Sequence, residues 1–193
     1  MNQHKFYAIR TTRGRLAEDP IYLDTETTGL TEQDQIIEIA LIDSDGTTLL
    51  NTLVKPTILI SAAATRVHNL ENEDLLDAPR FDEILDELNR LTKNRLVLAY
   101  FTAFDLRLLA QSAAAWDVNL PYIHAKCMMI TYSEFHGEWS DYRNKFTWQS
   151  QIAAARQLGL KVPHNLHRAS ADAELCRAIA IAVAETKLPG EHK

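Results

Sequence analysis

Ile21 to Leu30 reads Ile-Tyr-Leu-Asp-Thr-Glu-Thr-Thr-Gly-Leu, an apolar run that passes straight into two acids and a glycine turn. The three apolar residues are the signature of a buried strand. Side chains two apart in an extended chain share a face, so Asp24 and Glu26 aim together. Two carboxylates at the end of a buried strand lose hydration and repel each other unless something cationic sits between them. Oxygen ligands of this kind suit Mg²⁺ or Mn²⁺. A pair of turn acids facing water is the other reading, and the choice depends on whether distant parts of the chain supply further ligands.

At 193 residues the chain is long enough for one well-packed domain. A net charge of −6 argues against coating nucleic acid through bulk positive charge, while leaving open a phosphate backbone held by metals and a local basic patch. Cys127 and Cys176 stand outside any Cys-x-x-Cys or Cys/His spacing, so neither zinc nor a disulfide framework is indicated. Residues 1–20 lack the apolar core of a signal peptide, and the apolar run around Ala178–Ala184 is too short to cross a bilayer. The expectation is a cytoplasmic protein with no membrane partner.

Residues 1–20 carry Lys5, Arg10, Arg13 and Arg15 with few apolar anchors, and read as a basic arm or a short additional strand. Residues 21–187 read as a single domain and 188–193 as a tail. After the Ile21 strand, Ile36 to Ile42 and Thr47 to Val54 read as two more, joined by the Asp43-Ser-Asp-Gly46 turn into an antiparallel meander. Residues 57–78 are irregular or short-helical. Ile84, Leu85, Leu88 and Leu91 form one helical stripe after Pro79, and Arg95 to Tyr100 is a buried strand. A helix over about Ala103–Trp116, a strand within Tyr122–Ile130, a long loop over Tyr132–Phe146 and a helix over Thr147–Leu158 follow. A last helix spans about Ala169–Glu185. The fold class is α/β: a mixed sheet of three antiparallel then parallel strands, flanked by helices.

Asp105 falls in the first turn of the helix after a buried strand, where α/β folds place ligands, although Thr102-Ala-Phe-Asp105 also fits a capping box. Asp172 is a first-turn acid that the helix macrodipole alone would favour, and His167 could be an exposed loop histidine. Taken together, Asp24, Glu26, Asp105 and Asp172 lie at strand ends or helix starts that one sheet edge could gather. Four carboxylates beside an imidazole have a definite use. Two metals roughly 3.5–4 Å apart clamp the attacking and leaving oxygens of a phosphodiester displacement. Histidine titrates nearest neutrality and is the natural proton acceptor, which makes His167 the candidate base.

Asp24-Thr-Glu-Thr-Thr-Gly-Leu30, Phe104-Asp105 and His167-Arg-Ala-Ser-Ala-Asp172 resemble, in order and spacing, the three motifs of the DEDDh (DnaQ-like) 3′–5′ exonucleases. His68-Asn-Leu and Asp77-Ala-Pro resemble features that the family places between the first two motifs. The resemblance covers roughly residues 21 to 186. It implies an RNase H-like fold and release of 5′-mononucleotides from a 3′ end with two Mg²⁺ or Mn²⁺ ions. Asp24, Glu26, Asp105 and Asp172 would then hold the metals and His167 would activate water. By the same resemblance Thr27 lies where backbone holds the terminal 3′-OH and Leu30 where an apolar side chain packs on the terminal base; a turn threonine and a core leucine are the alternatives. His68 and Phe101 complete the expected substrate-side positions. Many relatives have His-Asn before the second motif where this chain has Tyr100-Phe101. Phe101 would stack on a base or fill the core, and the core is the preferred reading.

Trp139, Tyr142, Phe146 and Trp148 alternate with Arg143 and Lys145, a mixture that suits single-stranded nucleic acid or pins an insert onto the core; the pinning role has the better claim. Arg107, Arg156 and Arg168 are either phosphate contacts or surface charges. The expected activity is a metal-dependent exonuclease on single-stranded or frayed DNA 3′ ends, with a DNA polymerase or repair protein as an expected partner. An exoribonuclease and a non-catalytic, polymerase-associated nucleic-acid-binding module are the alternatives, the last disfavoured because a pure binder has no need of mutually repelling acids.

Overall fold

The apolar run from Ile21 is the central strand of a five-stranded mixed sheet in this computed structural model, which describes residues 3–164 and 166–191. Helix α1 (Gln3–Leu16) precedes β1 (Ile21–Thr27), β2 (Ile36–Ile42) and β3 (Thr48–Leu53), and α2 (Ala62–His68) and α3 (Phe81–Thr92) lead to β4 (Val97–Ala99). Next come α4 (Thr102–Ala115), β5 (Ala125–Cys127), α5 (Met128–His136) and a small hairpin of β6 (Trp139–Ser140) with β7 (Lys145–Phe146). Helices α6 (Gln151–Gln157) and α7 (Ala169–Glu185) close the chain. The sheet order is β3-β2-β1-β4-β5, with β1, β2 and β3 antiparallel and β4 and β5 parallel to β1.

Alternation sorts the β1 and β2 side chains onto two faces. Tyr22, Ala40 and Ile42 pack with Ile9 of α1 and with Cys176, Ile179 and Val183 of α7. Ile21, Leu23, Ile39 and Leu41 pack on the other face with Phe81 and Leu88 of α3 and Leu108 and Leu109 of α4. Each such large side chain, fully buried, contributes roughly 1.5–3 kcal/mol. Slipping β1 by one residue would expel this whole set from its layers and turn Asp24 and Glu26 to the wrong face. The core thus fixes where the acids point.

Three expectations need correction. The described part of residues 1–20 is neither arm nor strand but the 14-residue helix α1. It buries only Ala8, Ile9 and Thr12, too few to print a helical stripe, and long-range polar contacts hold it. Arg13 donates from Nε to the Ala184 carbonyl at 2.8 Å and from Nη2 to that of Thr186 at 3.2 Å, satisfying the C-terminal end of α7, and it pairs with Glu191 at 2.5 Å. Glu191 therefore ties the described part of the expected 188–193 tail to α1, while residues 192 and 193 lie outside the described residues. The loop expected over Tyr132–Phe146 is the second half of α5, which buries Met128, Tyr132 and Phe135 at helical spacing, followed by the hairpin. The helix expected from Thr147 begins at Gln151, because Ser150 caps it by accepting the Ala153 N–H at 3.2 Å. No helix among the described residues is long and apolar enough to cross a membrane.

Candidate active site

The carboxyl end of β4 lies beside Leu23, the residue before Asp24 in its parallel neighbour β1, and α4 starts just beyond it. Asp105 sits in its first turn, 4% exposed, and takes a hydrogen bond at 3.0 Å from Thr25, the β1 residue between Asp24 and Glu26. The capping-box alternative fails here: Phe101 is the N-cap and offers no side-chain bond, and Thr102 donates to the Ala99 carbonyl. Helix α7 packs across β1 and β2 and contributes Asp172 from its own first turn. Glu26, His167 and Asp172 bring ligand atoms within 4.8 Å of one another.

Electrostatics join the four acids. Burial raises Asp24 well above the ordinary carboxylate range, and repulsion from Asp105, Asp172 and Glu26 adds to it. Burial pushes Glu26 up to about 8, with Asp172 and Glu38 reinforcing the shift and Arg168 opposing it. Asp105 and Asp172 are also raised by burial, against the Thr25 bond in one case and the His167 N–H in the other. This donor set fits hard divalent cations: anionic oxygens, desolvated and mutually repelling.

His167 adopts a left-handed backbone conformation, φ 62°, which histidine tolerates better than most residues. The turn aims its N–H at Asp172 Oδ2, 2.8 Å away, while the residue itself stays exposed. Both ends of the motif are thereby tied together.

A cleft of about 470 Å³ opens beside the acids, lined on one side by Thr25, Glu26, Thr27, Gly29 and Leu30 and on the other by α2 and Phe104. The loop after β1 is built around a buried carboxylate. Asp34 accepts the hydroxyls of Thr28 and Thr31 at 2.6 and 2.7 Å and the Thr31 N–H at 2.7 Å. A Cβ on Gly29 would meet that carboxylate at 2.8 Å, so a side chain there would have to displace Asp34. Leu30 is held 75% exposed at the cleft, which overturns its reading as a core residue. Thr27 is buried with its hydroxyl donating to the Gly29 carbonyl, and its own carbonyl meets His68 Nε2 at 3.2 Å. His68 Nδ1 accepts the Leu70 N–H at 3.0 Å, so Nε2 carries the proton, and burial lowers the imidazole's pKa to match. His68 therefore spends both nitrogens on backbone and shapes the cleft wall.

Phe101 does not fill the core. It is 40% exposed and stacks on Phe104 at 6.2 Å and 17°, with Trp148 beyond it at 5.8 Å. Lys145 Nζ sits 4.0 Å over Trp148. Trp139 and His4 hold Phe146 at 5.1 and 4.9 Å, so Phe146 has the pinning role while Trp148 packs against Phe101. Arg107 is committed to the loop after β1, donating to the Thr31 carbonyl at 2.9 Å, and Arg168 is committed to Glu38. Glu38 escaped notice in the sequence, although a lone acid inside Ile-Ile-Glu-Ile-Ala-Leu-Ile is itself a signal.

The exonuclease family model RNase_T matches residues 21–180. The uncharacterized exonuclease CP81 of Escherichia phage 186 is 35% identical over 88% of this chain and 90% of its own length. The DNA polymerase III subunit epsilon of Treponema pallidum is 30% identical over 79% of this chain and 70% of its own. In structure, the chain is similar to the nuclease domain of 3′hExo, a DEDDh family member bound to rAMP. The TM-score is 0.67 at 16% identity, over 85% of this chain and 90% of that one, and the likeness extends to the mixed sheet and its flanking helices. The chain is a nuclease and belongs to the exonuclease family, in its DEDDh, DnaQ-like branch.

Proposed function

We propose that this nuclease removes 5′-mononucleotides from the 3′ ends of single-stranded or frayed DNA by two-metal hydrolysis. The observation that carries the reading is the convergence of four desolvated acids, from β1, α4 and α7, beside one exposed imidazole. Asp24, Glu26, Asp105 and Asp172 would hold two Mg²⁺ or Mn²⁺ ions. Those ions would supply Lewis acidity at the attacking and leaving oxygens. His167 takes the proton from the attacking water, its ring held near Glu26 and Asp172 by the left-handed turn.

The cleft beside the acids suits a terminal nucleoside. Its wall of Leu30, Ala63, Ala64, Val67 and Phe104 offers apolar surface to a base and little that reads a base edge, in keeping with removal of any nucleotide. The backbone of Thr27 faces the sugar in this reading, and Leu30 packs on the base. Phe101 and Trp148 continue the apolar surface beyond Phe104 and would stack the next bases, which favours an unpaired strand. DNA is favoured over RNA by relatives named as DNA polymerase III subunits, which also supports work beside a polymerase. We place the activity in the cytoplasm, in keeping with two free cysteines.

Incubation with 5′-labelled DNA and RNA oligonucleotides, with Mg²⁺ or EDTA, tests this directly. A ladder shortening from the 3′ end of single-stranded DNA, abolished by EDTA, is expected. A faster ladder on RNA would reassign the sugar, and cleavage indifferent to EDTA would overturn the metal mechanism.

A further inference from the structure

Glu38 is 2% exposed in the middle of β2, an expensive place for a charge unless it is fully paired. Its carboxylate takes three bonds from the Arg168 guanidinium, from Nε at 3.1 Å to each oxygen and from Nη2 at 2.6 Å, and a fourth from the Ala169 N–H at 3.0 Å. Arg168 is the N-cap of α7 and has no capping side chain of its own, so an acid from the neighbouring strand satisfies the first turn instead. His167 immediately precedes it. The histidine is therefore clamped on both sides, by Asp172 on its own N–H and by Glu38 on the two residues that follow.

We propose that Glu38 and Arg168 are a positioning pair that fixes His167 in its left-handed turn beside Glu26 and Asp172, and that Arg168 acts through the histidine and not on substrate phosphate. The proposal rests on reading His167 as the base. Glu38 is the cross-strand partner of Glu26, so the pair ties the histidine turn to the very rung of the sheet that carries an active-site acid. An arginine meant for a phosphate would leave its guanidinium free, whereas this one has Nε and Nη2 turned inward onto a buried acid. Lysine could supply the charge but not the forked bonds.

The test is a double-mutant cycle on a single-stranded DNA oligonucleotide. Arg168→Gln should lower kcat about 10–100-fold with KM changed less than about threefold, and Arg168→Lys should recover only part of the loss. In a His167→Ala background the same Arg168→Gln change should alter kcat less than about twofold. A full additional loss there, or a rise in KM in place of the fall in kcat, would overturn the proposal and make Arg168 a substrate contact or a mere fold support. Arg168→Gln leaves Glu38 buried without its cation, so Glu38→Gln/Arg168→Gln, which restores neutrality, replaces it if the single variant does not fold. Amide hydrogen exchange separates this inference from the assigned activity. The His167 amide should lose about tenfold or more of its protection in the double variant, and unchanged protection sinks the positioning role whatever the turnover. Failure of the unsubstituted protein to degrade any oligonucleotide would instead sink the functional reading alone.

Discussion

Glu26 and Glu38 are register partners across the β1–β2 ladder, two buried acids on one face, and they are neutralised by different means. Like charges placed opposite each other destabilise a sheet. Glu38 is relieved by Arg168 and the first N–H of α7. Among the described residues no side chain donates a hydrogen bond to Glu26, whose pKa burial lifts to about 8. One acid is paired and belongs to the scaffold; its neighbour has no such cation among the described side chains.

Metal-free stability should therefore fall with rising pH. Burial pushes the Glu26 carboxyl from its ordinary 4.5 up to about 8, and Asp24, Asp105 and Asp172 are shifted in the same direction. At these four acids the folded chain holds more protons than the unfolded one across that window, against the opposite contribution of His68, so their linkage makes unfolding easier as pH rises from about 4.5 to about 8. Melting curves in EDTA should show a declining Tm over this range. Mn²⁺ should raise Tm most at the upper end, where the acids are ionised and only the folded form gathers them. A Tm that climbs through the window in EDTA would contradict the assignment.

Asp24→Ala should abolish Mg²⁺-dependent hydrolysis and remove most of the Mn²⁺-induced rise in Tm, since it takes one acid from the centre of the cage. His167→Ala should lower the rate by roughly 10²–10⁴ while keeping the metal-induced stabilisation. The contrast between turnover and Tm separates ligand from base. Loss of the Mn²⁺ effect in His167→Ala would make the imidazole a ligand, in line with its reach to Glu26 and Asp172.

Gly29→Ala probes the loop. The new methyl group would press on the Asp34 carboxylate at 2.8 Å, against an acid that burial raises but that the Thr28 and Thr31 hydroxyls hold below its ordinary range. Overpacking of this kind costs about 1–3 kcal/mol. Leu30 follows directly and Arg107 hangs on the Leu30 and Thr31 carbonyls, so KM for the 3′ end should rise along with the loss of stability. Unchanged Tm and KM would mean that the loop yields freely.

The sheet was legible because its cause is local and repetitive: Ile21–Leu23 and Ile36–Ile42 announce buried strands by composition alone. The acids were legible as a set, since each sits at the end of an element whose period is visible. Helix α1 was not, because Arg13 reaches the Ala184 carbonyl across 171 positions and no local pattern encodes that bond. Phe101 was misjudged for a related reason. Hydrophobicity says that an aromatic wants contact, not whether the contact is core or, as here, Phe104 and Trp148 at the surface.

That surface makes a last prediction. Phe101 stacks on Phe104 at the edge of the cleft, and Trp148 extends the row under the Lys145 ammonium. Stacking is worth about 1–3 kcal/mol per base, so Phe101→Ala or Trp148→Ala should raise KM for a single-stranded decamer roughly 5–100-fold. In the proposed reading the terminal nucleotide lies against Leu30 and α2, so the penalty should shrink on a dinucleotide, which has fewer bases to place on the row. Steady-state kinetics on the two lengths decides it. An equal loss on both would mean that the ring supports the neighbouring Asp105 turn, and no loss on either would strip the aromatic row of any role in holding the strand.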